Sequence, residues 1–171
     1  TLLGIIILYT INPKTALFAA ISIFLYTSVY TPMKPLSPIS VFVGALPGAI
    51  PFMLGWVAAT GKFGIEAGVL FLIQFFWQFP HFWAIGWLQF DEYKKAGFNM
   101  MPTGQKNKKA SKLIIFYTIF MIIVSVFPVF RITGELYLLP LSAFSRWGIQ
   151  SSLHIAYIAT LLILFLYYYV K

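Results

Sequence analysis

Apolar residues fill this chain in long unbroken blocks, and its polar and turn-forming residues collect between them. Blocks at residues 15–30, 39–59, 65–90, 112–130 and 151–170 approach or reach the ~20 residues that a membrane-crossing helix needs. They are continuous rather than alternating, which predicts helices and not the strands of a barrel. Residues 39–59, at the α-helical rise, give about 31 Å, the thickness of a bilayer core. A shorter apolar block at 1–11 reads as the second half of a helix in an internal fragment, since the sequence opens on Thr1 and not Met. Residues 1–171 are thus expected to form a single membrane domain, an all-α bundle of multiple spans.

The breaks between blocks have their own chemistry. Asn12, Pro13 and Lys14 predict a tight turn, and residues 31–38 a loop holding Pro32, Pro35, Pro38 and Lys34. Residues 61–64 form a short turn, and 91–111 the longest polar stretch. The block at 39–59 carries Gly44 and Gly48, four apart, which permit close helix approach, and Pro47 and Pro51, which interrupt the hydrogen-bond ladder. Pro80 is expected to kink the block at 65–90. Residues 131–150 resist this reading: 136–144 is too short to cross and contains Pro140, so it lies at the interface or forms a broken helix. Tyr167, Tyr168 and Tyr169 suit an interfacial belt.

Composition agrees with the pattern. The 171 residues are 60% hydrophobic and 9% charged, against about 25% charged in soluble domains. That excludes a soluble globular domain and a disordered chain. The absence of Cys excludes a disulfide scaffold, thiolate catalysis and Cys-ligated metal. The net charge of +8 is distributed for a lipid bilayer, not for nucleic acid. Alternation of the spans puts Lys34, Lys94, Lys95, Lys106, Lys108, Lys109 and Lys112 on one side. Lys14, Lys62, Arg131 and Arg146 fall on the other. The positive-inside bias makes the first side cytoplasmic, with Lys34 and the 91–111 loop, and Lys171 joins it if 136–144 does not cross. The short loops favour a bacterial inner membrane over a mitochondrial one. No internal repeat is visible.

Acids are scarce: Glu66, Asp91, Glu92 and Glu135 are all there are. Asp91 and Glu92, followed by Lys94 and Lys95, suit a Mg²⁺–phosphate site, because Mg²⁺ takes hard oxygen ligands shared with substrate phosphates. They equally suit a solvated helix end. Gln74, Gln78 and His81 share one helix face. Continued as a helix, that face meets Glu92 about 16 Å further on and only ~20° away. Such polar residues inside a span either face a cavity or bond a neighbouring helix. His81 is a candidate ligand for a metal or haem iron. His154 has no polar companions and reads as structural. Lys34 is either an anion-binding cation or a positive-inside anchor, and the cluster from Lys106 to Lys112 suits anionic lipid headgroups.

Tyr30-Thr31-Pro32-Met33-Lys34, then Gly44-Ala45 and Gly55-Trp56, then Trp77-Gln78-Phe79-Pro80-His81-Phe82-Trp83, then Asp91-Glu92-Tyr93-Lys94-Lys95-Ala96-Gly97 and Met101-Pro102 resemble the protoheme IX farnesyltransferases. These are the haem branch of the intramembrane aromatic prenyltransferases. The order and spacing agree over roughly residues 1–130. Quinone-type relatives usually show Asp-x-x-x-Asp at the second site; here Lys95 stands four after Asp91. The resemblance implies a bundle of about nine spans around a central cavity, of which this chain holds part. It implies transfer of a farnesyl group from farnesyl diphosphate to a vinyl group of protohaem IX, giving haem O. Haem B is then a substrate, and Mg²⁺ the cofactor. A haem A synthase or a terminal-oxidase assembly protein is the implied partner.

By the same resemblance, Asp91 and Glu92 belong to the second acidic motif and hold Mg²⁺–diphosphate. Lys34 is the basic position at the diphosphate end, and His81 the haem contact. Tyr30, Tyr93, Lys94, Lys95, Gln78 and Gln74 are substrate-binding candidates around them. The family more often has Asp immediately before the Tyr, where Glu92 stands here. The first acidic motif, of Asn-Asp-x-x-Asp-x-x-x-Asp type, is absent from these residues, so the chain alone is expected to be inactive. After Arg131 the sequence departs from the pattern, and the family's final span is not found. The rival readings are a quinone-type membrane prenyltransferase, a multi-pass transporter subunit and a structural membrane subunit. Broken Pro/Gly helices and mid-depth polar residues suit a transporter, but inverted repeats are not visible. A structural subunit gives no reason for the Gln74, Gln78, His81 stripe.

Overall fold

A computed structural model describes residues 1–127, and these are helices and turns throughout. The expected span at 151–170, the segment 136–144, Glu135 and His154 lie outside the described residues.

The chain begins with α1, Leu2–Ile11, and α2, Pro13–Phe24, separated by Asn12 alone. Asn12 is extended (φ −160°, ψ 123°), and its side chain accepts the Lys14 N–H at 2.9 Å. Pro13 opens α2, where its missing N–H would have had no partner in any case. The turn is therefore tighter than three residues. α2 continues into a π-helical turn, Leu25–Tyr30, and then α3, Thr31–Met33. Pro32 accounts for the widening: in a regular α-helix its ring would clash with the carbonyl of Ser28. The run Pro13–Met33 is long and apolar enough to cross a membrane.

α4, Ser40–Thr60, matches the expected block to within a residue and ends on Gly61 at φ 69°, a left-handed cap that suits glycine. Pro51 has no N–H to give the carbonyl of Pro47. Ser22 Oγ from α2 donates to that oxygen instead, at 2.9 Å. The proline gap in α4 thus becomes a bond between helices. Ser22→Ala is expected to leave the carbonyl unbonded and to cost about 1 kcal/mol, read as a lower thermal midpoint of the full-length protein in detergent.

α5, Ile65–Leu88, runs through Pro80 without a break in the helix. The break comes at Gln89 (φ −104°, ψ 29°), and a separate short helix, α6, Phe90–Lys95, follows. The span expected at 65–90 is thus α5 to within two residues, and α6, after its first residue, falls in the stretch expected as a polar loop, 91–111. α7, Lys108–Val126, starts four residues before the expected 112, because Asn107 caps it: its side chain accepts the Ala110 N–H at 2.8 Å.

α2, α4, α5 and α7 pack in antiparallel sequence. One core cluster joins Val41, Ala45 and Ala49 of α4 to Phe75, Phe79 and Trp83 of α5, with Met100 and Ile114 against them. A second lies at the other end, around Ala19, Ile50, Met53 and Val57. Outside these clusters many large apolar side chains are exposed along the helices, among them Leu17, Phe24, Phe52, Phe116 and Ile123. Such a surface is stable against lipid and not against water. The described residues are thus a membrane helical bundle, and four of its helical runs are long and apolar enough to span. Lys14 and Lys62 sit at the end where Phe18 and Phe63 stack; the other seven lysines of residues 1–127 lie just after α3, in α6, or just before and in the first turns of α7, at the opposite side.

Candidate functional site

The lysine-rich end is built around Tyr30. Its ring is buried against Gly44 of α4; a Cβ at position 44 would lie 2.6 Å from the ring. Only glycine leaves room for the aromatic face here. Lys34, one turn on, places its ammonium 4.6 Å from the Tyr30 ring centroid and 6.0 Å from that of Tyr26. Tyr93 of α6 packs on the core that includes Val41 and Ala45 of α4. Tyr30 and Lys34, chosen from sequence, are therefore in contact, and Tyr93, also chosen, sits at the same end of the bundle. Tyr26 was not chosen, although its spacing of four from Tyr30 and eight from Lys34 was a readable signal.

α6 carries the acids. Its first turn holds Asp91 and Glu92 and its last Lys94 and Lys95, an order that complements the helix dipole. All four are exposed. Glu92 accepts from Lys95 at 2.9 Å, with both side chains more than 70% exposed, so this pair is worth little and yields readily to another partner. Asp91 has no ion-pair partner among the described residues. Neighbours on a helix diverge by about 100°, so the two carboxylates do not converge on one point. Among the described residues no three of His, Cys, Asp and Glu group together. What α6 offers is hard oxygen donors at the mouth of the bundle, a fit for Mg²⁺ bound mostly by phosphate oxygens and water.

The stripe on α5 resolves differently. The projection from His81 to Glu92 assumed one helix, and the turn at Gln89 cancels it. Gln78 is 4% exposed, and its amide donates to the Ala45 carbonyl at 2.9 Å and to the Gln74 carbonyl at 3.3 Å. It fills the notch at Gly48, where any Cβ would overlap its Oε1. Gln78 is thus a bond between α4 and α5, and Gln74 accepts from it through its backbone. His81 is half-buried, stacked on Trp77 at 4.4 Å and edge-on to Phe82 at 5.5 Å. An apolar groove of about 330 Å³ lies between α2, α4 and α5, lined by side chains such as Phe18, Leu25, Leu46, Ile50 and Phe71. His81, Gln74 and Gln78 do not line it.

The sequence profile of the UbiA prenyltransferase family matches residues 1–171, including the tail beyond Arg131 that departed from the expected pattern. Curated relatives named protoheme IX farnesyltransferase are similar over most of the chain. That of Flavobacterium johnsoniae is 66% identical over 143 residues, 84% of this chain and 48% of that protein. That of Christiangramia forsetii is 66% identical over 142 residues, 83% and 47%. That of Koribacter versatilis is 41% identical over 130 residues, 75% and 42%. The chain spans about half the length of the curated relatives it matches. No solved structure matches it. With the helical bundle, the haem-branch motifs and a family match along its whole length, the chain belongs to the UbiA prenyltransferase family.

Proposed function

We propose that the chain contributes the second acidic site of an enzyme that transfers farnesyl from farnesyl diphosphate to the outer carbon of a vinyl group of protohaem IX, with water adding to the inner carbon and losing a proton, to give haem O and diphosphate. The observation that carries this reading is the Lys34 ammonium held on Tyr30 and Tyr26, with Tyr93 seating the acid-bearing α6 on the core at the same end. Similarity to proteins of that name supports the choice of substrates. We place this end on the cytoplasmic face of a bacterial inner membrane, on the seven lysines that gather there. A terminal-oxidase assembly protein or a haem A synthase is the proposed recipient of the product. Since the chain contains no Asn-Asp-x-x-Asp sequence, we propose that these residues are inactive alone.

Breaking the allylic carbon–oxygen bond puts charge on the leaving diphosphate. Lys34 stabilises that charge more in the transition state than in the ground state, which is what accelerates the step. Asp91 and Glu92 would hold Mg²⁺, which when bound neutralises diphosphate oxygens as a Lewis acid. Tyr30 and Tyr93 close the polar head off from the apolar interior. The farnesyl chain and porphyrin lie deeper, toward His81, among aromatic side chains that exclude water from the allylic cation. Aromatic faces attract such a cation by about 0.5–2 kcal/mol each.

The test is haem O formation. Membranes of a strain lacking its own enzyme, carrying the full-length protein, are supplied with protohaem and farnesyl diphosphate and the haems resolved by mass. Haem O is expected with farnesyl diphosphate and not without it. Prenylation of a quinone precursor in its place would overturn the reading.

A further inference from the structure

Tyr26 is the second and more distant ring beside the Lys34 ammonium, which lies 6.0 Å from the ring centroid. The Tyr26 and Tyr30 centroids are 5.2 Å apart, the rings are tilted by 56°, and the Lys34 ammonium lies over both, nearer to Tyr30. In a regular α-helix, positions four apart overshoot a full turn by about 40°, and residues 26, 30 and 34 would fan out. The π-helical turn Leu25–Tyr30 takes more residues per turn and cancels that drift. Thr31 fastens it: both its N–H and its Oγ1, at 2.8 Å, donate to the Tyr26 carbonyl.

We infer that Tyr26 is a positioning residue for the Lys34 ammonium, and that the π-helical turn exists to keep both on one side. The inference rests on the proposed role of Lys34 toward diphosphate. A lysine has a long flexible stem, and its freedom is lost when it engages an anion. Two aromatic faces restrict it beforehand, so less is lost on binding. They do so without neutralising it. A carboxylate would compete with the diphosphate for the same charge, and Lys34 has no carboxylate partner among the described residues. Tyr26 is itself 49% exposed, so its removal takes away little packing.

The experiment measures haem O formation by the full-length enzyme in membranes, with farnesyl diphosphate varied at saturating protohaem. Tyr26→Leu is expected to raise KM for farnesyl diphosphate about three- to fivefold, the worth of one exposed cation–π contact, with kcat nearly unchanged. Tyr26→Phe, which keeps the aromatic face, is expected to match the parent. In a Lys34→Ala background Tyr26→Leu is expected to add nothing. Should Tyr26→Leu fail to reach the membrane, Tyr26→Met supplies the same comparison. An unchanged KM in Tyr26→Leu, beside a raised one in Lys34→Ala, overturns the inference and leaves the role of Lys34 standing. So does a rise that persists in the Lys34→Ala background. A fall in kcat with an unchanged KM in Lys34→Ala overturns the inference, since the lysine then acts in the transition state alone; unchanged kcat and KM in Lys34→Ala overturn the role of Lys34 itself, and the inference falls with it.

Discussion

Gly44→Ala is expected to damage both stability and substrate binding, where Gly48→Ala damages stability alone. At position 44 the new methyl meets the Tyr30 ring at 2.6 to 3.0 Å, and that ring is rigid and buried. Overpacking of this kind costs about 1–3 kcal/mol, and alanine's better helix propensity returns at most about 1 kcal/mol. Moving Tyr30 also moves the face on which Lys34 rests, so KM for farnesyl diphosphate should rise together with the fall in thermal midpoint. At position 48 the methyl instead meets the Gln78 amide, which can swing away only by giving up its bond to the Ala45 carbonyl. That destabilises the α4–α5 pair and leaves the Lys34 end in place. Gly55 has nothing within 4 Å of a built Cβ and serves as the control, with Gly55→Ala expected to raise the thermal midpoint by the equivalent of at most about 1 kcal/mol and to leave KM unchanged. Thermal midpoints in detergent and KM values, measured on all three full-length variants, decide the matter. A normal KM in Gly44→Ala would detach Tyr30 from the site.

How far these residues could be read from sequence depends on what each one needs. The spans were legible because continuous apolar length is a local property: the block at 39–59 appears as Ser40–Thr60. The contact of Lys34 with Tyr30 was legible too, since they stand four residues apart, whereas the packing of Tyr93 on α4 joins elements far apart in the chain. The end of the span near residue 90 was legible, but the break at Gln89 that sets off a second short helix was not, because neither Gly nor Pro marks it. Missing that break produced the false alignment of His81 with Glu92. Gln78 was recognised as costly inside a membrane, but which of two remedies it takes is set by a carbonyl and a glycine on another helix. Ser22 gave no signal at all: its partner exists only because Pro51 withholds an N–H one helix away.

Of the two acids on α6, Glu92 is expected to carry the larger part of the activity. Tyr93 packs inward on the α4–α5 core and fixes the rotation of this short helix. Glu92 then lies about 100° from that inward direction and Asp91 about 160° from it, so Asp91 points most nearly away from the bundle. Glu92 also stands directly before the tyrosine, the place of the acid in the haem-branch motif. Its present partner is no obstacle: an exposed pair such as Glu92–Lys95 contributes only about 0–1 kcal/mol. Glu92→Gln is therefore expected to lower kcat for haem O formation by about 10²- to 10³-fold, the cost of losing one transition-state charge contact. Both side chains are exposed, so neither Glu92→Gln nor Asp91→Asn should shift the thermal midpoint by more than the equivalent of about 0.5 kcal/mol. Asp91→Asn is expected to stay within about tenfold of the parent in activity, since one charge at greater distance is screened by water. Full activity in both variants would remove the second acidic site from the mechanism. A large loss in Asp91→Asn alone would mean that α6 is rotated in the working enzyme, with Tyr93 no longer seated on the core.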